Sequence, residues 1–205
     1  MSFALVQPSL LLNSYAFTNP PFGGCGLFMD TTWNCPKSAT AKDIVNWILV
    51  AYGQTPNRRL HHVVLNFHGR EEGPSSGGQK EQMVIVGEAS PESGYGTSRF
   101  REATHNALDL TNVGLFAALK GKNIGTIWFH SCALAKDLKG KYFCQRLSEV
   151  SGCNVVAAAE MQSEWWGIVN LIFMPRGSID DYEGQVYIWV KGKIKPFDPN
   201  GGNWD

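Results

Sequence analysis

Runs of consecutive apolar residues alternate along this chain with segments whose apolar residues recur at helical spacing. The runs are rich in β-branched and aromatic residues and predict buried strands at Leu60–Phe67, Ile124–Phe129 and Asn154–Ala159. Thr40 and Asp43 have the spacing of a capping box and predict a helix that ends near Gly53. Further helices are predicted at Leu110–Leu119 and from just after Cys132 to Val150. A strand, a helix and a strand in this succession predict a parallel βαβ unit.

The ends of the chain are less regular. Residues 1–37 are rich in Pro, Gly, Asn and aromatic residues, which favours turns and short strands packed on the rest. Residues 165–174 and 185–190 predict further short strands, which suit an antiparallel edge, and the tail from Lys195 is predicted to be a loop. No repeat or linker is visible. We therefore predict a single α/β domain over residues 1–205, with an open, mostly parallel sheet flanked by helices on both faces.

Composition and charge exclude several classes of protein. A hydrophobic fraction of 43% argues against disorder, and 18 basic against 18 acidic residues argue against a nucleic-acid binder. No apolar stretch is long enough for a membrane span, and the N-terminus lacks the charge pattern of a signal peptide. Five cysteines without any CxxC pair indicate neither a disulfide framework nor a zinc site. We expect no metal and no cofactor, and a reducing, cytoplasmic setting.

Candidate chemistry lies where two predicted strands end. One strand runs into His68-Gly69, and another runs into His130, Ser131 and Cys132. Because the carboxyl ends of parallel strands meet at one edge of a sheet, we expect an imidazole and a thiol to lie close together there. A histidine activates a cysteine for attack on an acyl carbon. The N–H groups of Gly69 and of Cys132, the latter placed at a helix start, would then form an oxyanion hole.

This pair of strand ends resembles the caspase-like cysteine peptidases of clan CD, over roughly residues 40–190. The stretch CALAKDLKGKYFCQRLSEVSGCNVVAAAE is similar to the segment after the nucleophile in bacterial caspase-like domains of the clostripain and metacaspase type. The resemblance implies that His68 and Cys132 form the catalytic dyad, with Gly69 and Cys132 as oxyanion donors and a peptide or protein as substrate. The chain departs from the family in having no QACRG-type pentapeptide, and in placing the bulky Phe67 before His68.

Acidic residues follow the candidate nucleophile in the region that sets specificity in caspase-like peptidases. They include Glu160, Asp180 and Asp181, which predict a preference for Arg or Lys at P1 rather than for Asp. The alternative interpretation is that the IDDYEG segment is a solvated turn.

Other interpretations remain open at this stage. His130 is an alternative base, although a packing role is favoured for it. Ser131 suggests a serine hydrolase, but the GxSxG motif is absent. A different class of function is a catalytically silent caspase-like module that recognises a protein partner. Tryptophans exposed together on one face would indicate such a partner surface. The candidates for it are Trp165, Trp166, Trp189 and Trp204.

Overall fold

A computed structural model describes residues 2–14, 29–36, 38–71, 82–85, 107–160, 177–180 and 182–201. The strands in these ranges are β1 (Ser2–Ala4), β2 (Ser9–Asn13), β3 (Thr31–Asn34), β4 (Leu60–Asn66), β5 (His68–Glu71), β6 (Gln82–Ile85), β7 (Ala107–Leu108), β8 (Ile124–His130), β9 (Asn154–Ala158), β10 (Ser178–Asp180), β11 (Val186–Val190) and β12 (Lys193–Phe197). The α-helices are α1 (Ala41–Gln54) and α2 (Leu138–Ser151), and short 3₁₀ helices span Pro56–Arg58, Val113–Leu119 and Pro199–Gly201.

Seven strands form the central sheet, in the order β12-β11-β9-β8-β4-β2-β3. The five strands from β3 to β9 are parallel, whereas β11 and β12 are antiparallel. This confirms the predicted open, mostly parallel α/β sheet with an antiparallel edge. The order of the strands reverses between β2 and β4, because β3 lies on one side of β2 and all later strands lie on the other. Such a switch point is where open α/β sheets bind ligands.

Helices cover one face of this sheet. Side chains of α1, of α2 and of the 3₁₀ helix Val113–Leu119 share one core cluster with alternate residues of the parallel strands. In the described part of the chain, the second face is covered instead by a separate cluster that includes Leu5, Met29, Ile179 and Tyr182. Helix α1 connects β3 to β4, the 3₁₀ helix lies between β4 and β8, and α2 connects β8 to β9. All three connections step across the sheet towards β12, and right-handed crossovers in one direction place their helices on the same face. Helices on the second face stay a prediction.

Helix α1 forms where the sequence predicts it. The Thr40 hydroxyl accepts a hydrogen bond from the Asp43 N–H, and the Asp43 carboxylate accepts one from the Thr40 N–H. Ile44 and Ile48 are fully buried on its inner face, and burying such a side chain stabilises the fold by about 1.5–3 kcal/mol. The cap therefore determines where the helix begins, and the apolar stripe determines which side of it faces the sheet.

Three elements outside the candidate site differ from the sequence predictions. Ser9–Asn13 forms β2, a fully buried strand inside the sheet. Lys193–Phe197 forms the edge strand β12, whose last three residues belong to the tail that was predicted to be a loop. The helix predicted at Leu110–Leu119 is a 3₁₀ helix that begins only at Val113. Strands β11 and β12 are joined by Lys191 and Gly192, both with positive φ, as a type I′ hairpin turn requires.

Within the described ranges, no helix has both the length and the apolar character needed to cross a membrane. The predicted strand at 165–174 lies outside those ranges.

Candidate active site

The carboxyl ends of β2, β4 and β8 lie side by side at one edge of the sheet. In the strand register, Asn13 is opposite Asn66, and Asn66 is opposite His130. His68 lies two residues after Asn66, and Cys132 lies two residues after His130. The topology thus brings the chain segments of the predicted dyad to the same edge, on neighbouring parallel strands.

Cys132 lies on a tight turn directly after β8. It is partly exposed, whereas Ser131 before it and Leu134 after it are buried. Ala133 has a φ of 49°, a left-handed conformation that costs a residue with a Cβ about 1–2 kcal/mol. Two backbone hydrogen bonds to the end of β9 hold this turn, from Ala133 N–H to Glu160 O at 2.8 Å and from Ala135 N–H to Ala158 O at 2.8 Å. Strain of this kind is typical of functional sites, including the turn that presents a hydrolase nucleophile.

The predicted helix start at Cys132 is wrong. Helix α2 begins at Leu138, and its N-cap is Asp137, whose carboxylate accepts hydrogen bonds from the N–H groups of Lys139 and Gly140. The left-handed Ala133 interrupts the chain before a helix can form. Because the field of a helix dipole falls off within one turn, α2 does not stabilise an oxyanion at the Cys132 N–H. A donor role for this N–H has to rest on the geometry of the turn alone.

His68 and Gly69 do not lie in a loop after the strand. They form the first two residues of β5, where His68 is opposite Ile85 and Gly69 is opposite Val84. Strand β5 belongs to the separate three-stranded sheet β5-β6-β7, so the chain leaves the central sheet at Phe67, which is fully buried. The side chain of His68 lies outside the described part of the structure.

The acidic residues predicted to bind substrate fall into two groups. Glu160 is exposed, and its backbone oxygen holds the turn after Cys132, which places this residue next to the candidate nucleophile. Gly184 packs closely against the Glu160 side chain. A Cβ at position 184 would overlap that side chain, so the contact requires glycine. Asp180 ends β10, but its side chain is not described, and Asp181 lies outside the described residues.

The cysteines differ in accessibility. Cys35, Cys144 and Cys153 are buried, and burial raises the pKa of Cys35 to about 12 and that of Cys153 to about 11. Burial also raises the pKa of Cys144. Of the four described cysteines, none forms a disulfide bond, and Cys132 alone is partly exposed. These three buried thiols are suited to packing, as the sequence predicts for Cys144 and Cys153.

A row of polar side chains that the sequence pattern does not predict lies at this edge. Asn66 Nδ2 donates to Asn13 Oδ1 at 2.9 Å, and Asn13 Nδ2 donates to Asn34 Oδ1 at 3.3 Å. At the other end of the row, His130 Nδ1 lies 3.3 Å from Asn66 Oδ1. We call the chain of Asn34, Asn13, Asn66 and His130 the asparagine row. The only hint in the sequence is that β2, β3 and β4 each end in Asn, and only the topology shows that these ends are neighbours.

Two further expectations can be compared with the structure. Ser131 is buried, and its Oγ has no hydrogen-bond partner among the described residues, so none of them activates it as a serine nucleophile. Trp189 is 1% exposed and lies in the core, so it does not belong to an exposed aromatic face. Trp165, Trp166 and Trp204 lie outside the described residues.

The described side chains include no cluster of three or more His, Cys, Asp or Glu residues placed to hold a metal ion. Comparisons of the chain with protein-family models, with curated proteins and with solved structures find no match.

Proposed function

We propose that this protein is a caspase-like cysteine endopeptidase in which Cys132 is the nucleophile and His68 the histidine of the dyad. One observation carries the proposal: Cys132, the one partly exposed cysteine among those described, lies on a strained turn at the carboxyl edge of the sheet. His68 follows the end of the neighbouring parallel strand at the matching position. The resemblance to clan CD peptidases agrees with this arrangement.

In the proposed reaction, the Cys132 thiolate attacks the scissile carbonyl carbon, and a carbon–sulfur bond forms. The carbon–nitrogen bond breaks when His68, as an imidazolium, gives its proton to the leaving amine. Water then hydrolyses the thioester. The N–H groups of Gly69 and Cys132 are the proposed donors to the oxyanion.

We also propose a peptide or protein substrate with Arg or Lys at P1. Support comes from Glu160, an exposed residue whose backbone oxygen accepts a hydrogen bond from Ala133 in the turn that carries Cys132. Asp180 and Asp181 remain proposed members of the same pocket. A reducing compartment such as the cytoplasm suits the proposal, because a peptidase thiol has to stay reduced.

The test is hydrolysis of fluorogenic peptides that carry Arg, Lys or Asp at P1. We expect cleavage after Arg and Lys, and Cys132→Ala should lower kcat/KM by several powers of ten, as losing a covalent nucleophile does. Cys153→Ala is the matched control, because this thiol is buried away from the edge and should leave the rate unchanged. A peptide with an electrophilic C-terminus should form an adduct on Cys132.

Full activity of the Cys132→Ala protein would overturn the proposal, and equal turnover after Asp and Arg would overturn its specificity. A folded protein without hydrolysis or adduct would favour the catalytically silent recognition module instead.

A further inference from the structure

The amide hydrogen bonds of the asparagine row all run in the same direction. Each amide donates through Nδ2 to the Oδ1 of the next strand, from Asn66 to Asn13 and from Asn13 to Asn34. The Asn66 oxygen therefore faces His130 Nδ1 at 3.3 Å. A carbonyl oxygen only accepts hydrogen bonds, so the proton of this contact belongs to His130. In the neutral imidazole, Nδ1 then carries the proton and Nε2 carries the basic lone pair.

The surroundings hold both partners in place. Asn66 is 1% exposed and Asn13 is 5% exposed, so rotating either amide would leave buried polar groups without partners. The ring centroid of Tyr182 lies 5.8 Å from that of His130, and the Tyr182 hydroxyl donates to Phe129 O at 3.1 Å. The imidazole thus has a hydrogen bond to a buried amide and a contact with an anchored aromatic ring.

We propose that Asn66 is a positioning residue that fixes His130 as the Nδ1–H tautomer, and that His130 Nε2 receives the thiol proton of Cys132. The inference rests on the proposed peptidase function. It says which group takes the thiol proton of Cys132, a step that the His68–Cys132 dyad alone leaves open. His130 precedes Cys132 by two residues and ends β8 at the same edge. Nucleophile, base and an orienting third group are the three parts that an activated nucleophile requires.

The protons balance over one turnover. Cys132 gives its proton to His130 and attacks as a thiolate, while His68 starts as an imidazolium and protonates the amine. Neutral His68 then takes a proton from the water that attacks the thioester. The released thiolate regains its proton from His130, so both histidines return to their initial states.

The first test is the tautomer of His130, read from its imidazole in long-range ¹H–¹⁵N spectra of the whole ¹⁵N-labelled chain. We expect a protonated Nδ1 and an unprotonated Nε2 in the wild type. Asn66→Asp should keep this tautomer because a carboxylate oxygen still accepts from Nδ1, whereas Asn66→Leu should lose it. Asn34→Ala is the control at the far, exposed end of the row and should change nothing. A wild-type imidazole protonated on Nε2 would overturn the proposal.

The second test is peptide hydrolysis. His130→Gln should lower kcat/KM by about 10²-fold or more, the usual effect of losing a positioned base. Asn66→Leu should lower it in the same direction, and Asn66→Asp should restore part of the loss. Wild-type hydrolysis by the His130→Gln protein, with Cys132→Ala inactive, would overturn this inference and leave the dyad intact. Activity in Cys132→Ala would overturn the proposed function, and the spectrum would still report the tautomer.

Discussion

The thiols of this chain should react with iodoacetamide at very different rates in the native protein. The thiolate is the reactive form, and burial holds the pKa of Cys153 at about 11 and that of Cys35 at about 12 instead of 9.0. At neutral pH each unit of increase lowers the thiolate fraction about tenfold. Relative to an unperturbed thiol, Cys153 therefore has about 100-fold less thiolate and Cys35 about 1,000-fold less. Of the four described thiols, Cys132 alone is partly exposed and should react first.

The assay is a time course of alkylation at neutral pH, with each cysteine quantified by peptide mass spectrometry. We expect Cys132 to be modified at least about 100-fold faster than Cys153, Cys35 or Cys144. The Cys132→Ala protein is the control and should lose this fast reaction. In denaturant, all the cysteines should react at similar rates because the burial is gone.

Comparable native rates at Cys132 and Cys153 would refute the reasoning, since they would show that burial does not separate the two thiols. A Cys132 that reacts only after unfolding would equally contradict its place on an accessible turn.

Two further predictions concern stability. A Cβ at Gly125 would lie 2.5 Å from the backbone oxygen of His61 in the neighbouring strand, so Gly125→Ala should destabilise the protein by about 1–3 kcal/mol. Gly53 lies in α1 with open space around it, so Gly53→Ala should instead stabilise the protein by about 0.5–1 kcal/mol. Urea unfolding of both variants measures the difference, and equal effects of the two substitutions would contradict the prediction. The raised pKa values of Cys35 and Cys153 favour the neutral thiols in the folded state, so their contribution to stability is complete below pH 9.0 and is lost as the pH rises towards 11–12. Urea midpoints should fall across that range, less steeply in Cys35→Ala, and midpoints that stay constant would refute this.

The sequence predicted the elements whose information is local. The Thr40–Asp43 capping box and the apolar stripe behind it specify α1 without help from the rest of the chain. Long β-branched runs likewise predicted β4 and β8, which carry the two strand ends of the candidate site. For the same reason, the sequence pattern alone was enough to place the segments of His68 and Cys132 at one edge of the sheet.

What the sequence did not predict depends on tertiary context. Strand β2 contains only three consecutive leucines after Pro8, a pattern too short to distinguish a central strand from an irregular segment. The late start of α2 depends on the left-handed Ala133, whose N–H donates a hydrogen bond to the backbone oxygen of Glu160, just after β9. The asparagine row joins residues up to 117 positions apart, from Asn13 to His130, and no local pattern connects them.

Strand β12 has a consequence for how the protein meets other copies of itself. Among the described strands it forms one rim of the central sheet, and the outward N–H and C=O groups of such a rim are a template for an incoming strand. Lys193 and Lys195 are exposed along it, and Pro196 has no N–H to offer. Two positive charges and a missing donor within four residues discourage another chain from adding its own strand. Lys195 and Pro196, which lie in the tail predicted to be a loop, thus help to protect the rim against edge-to-edge aggregation.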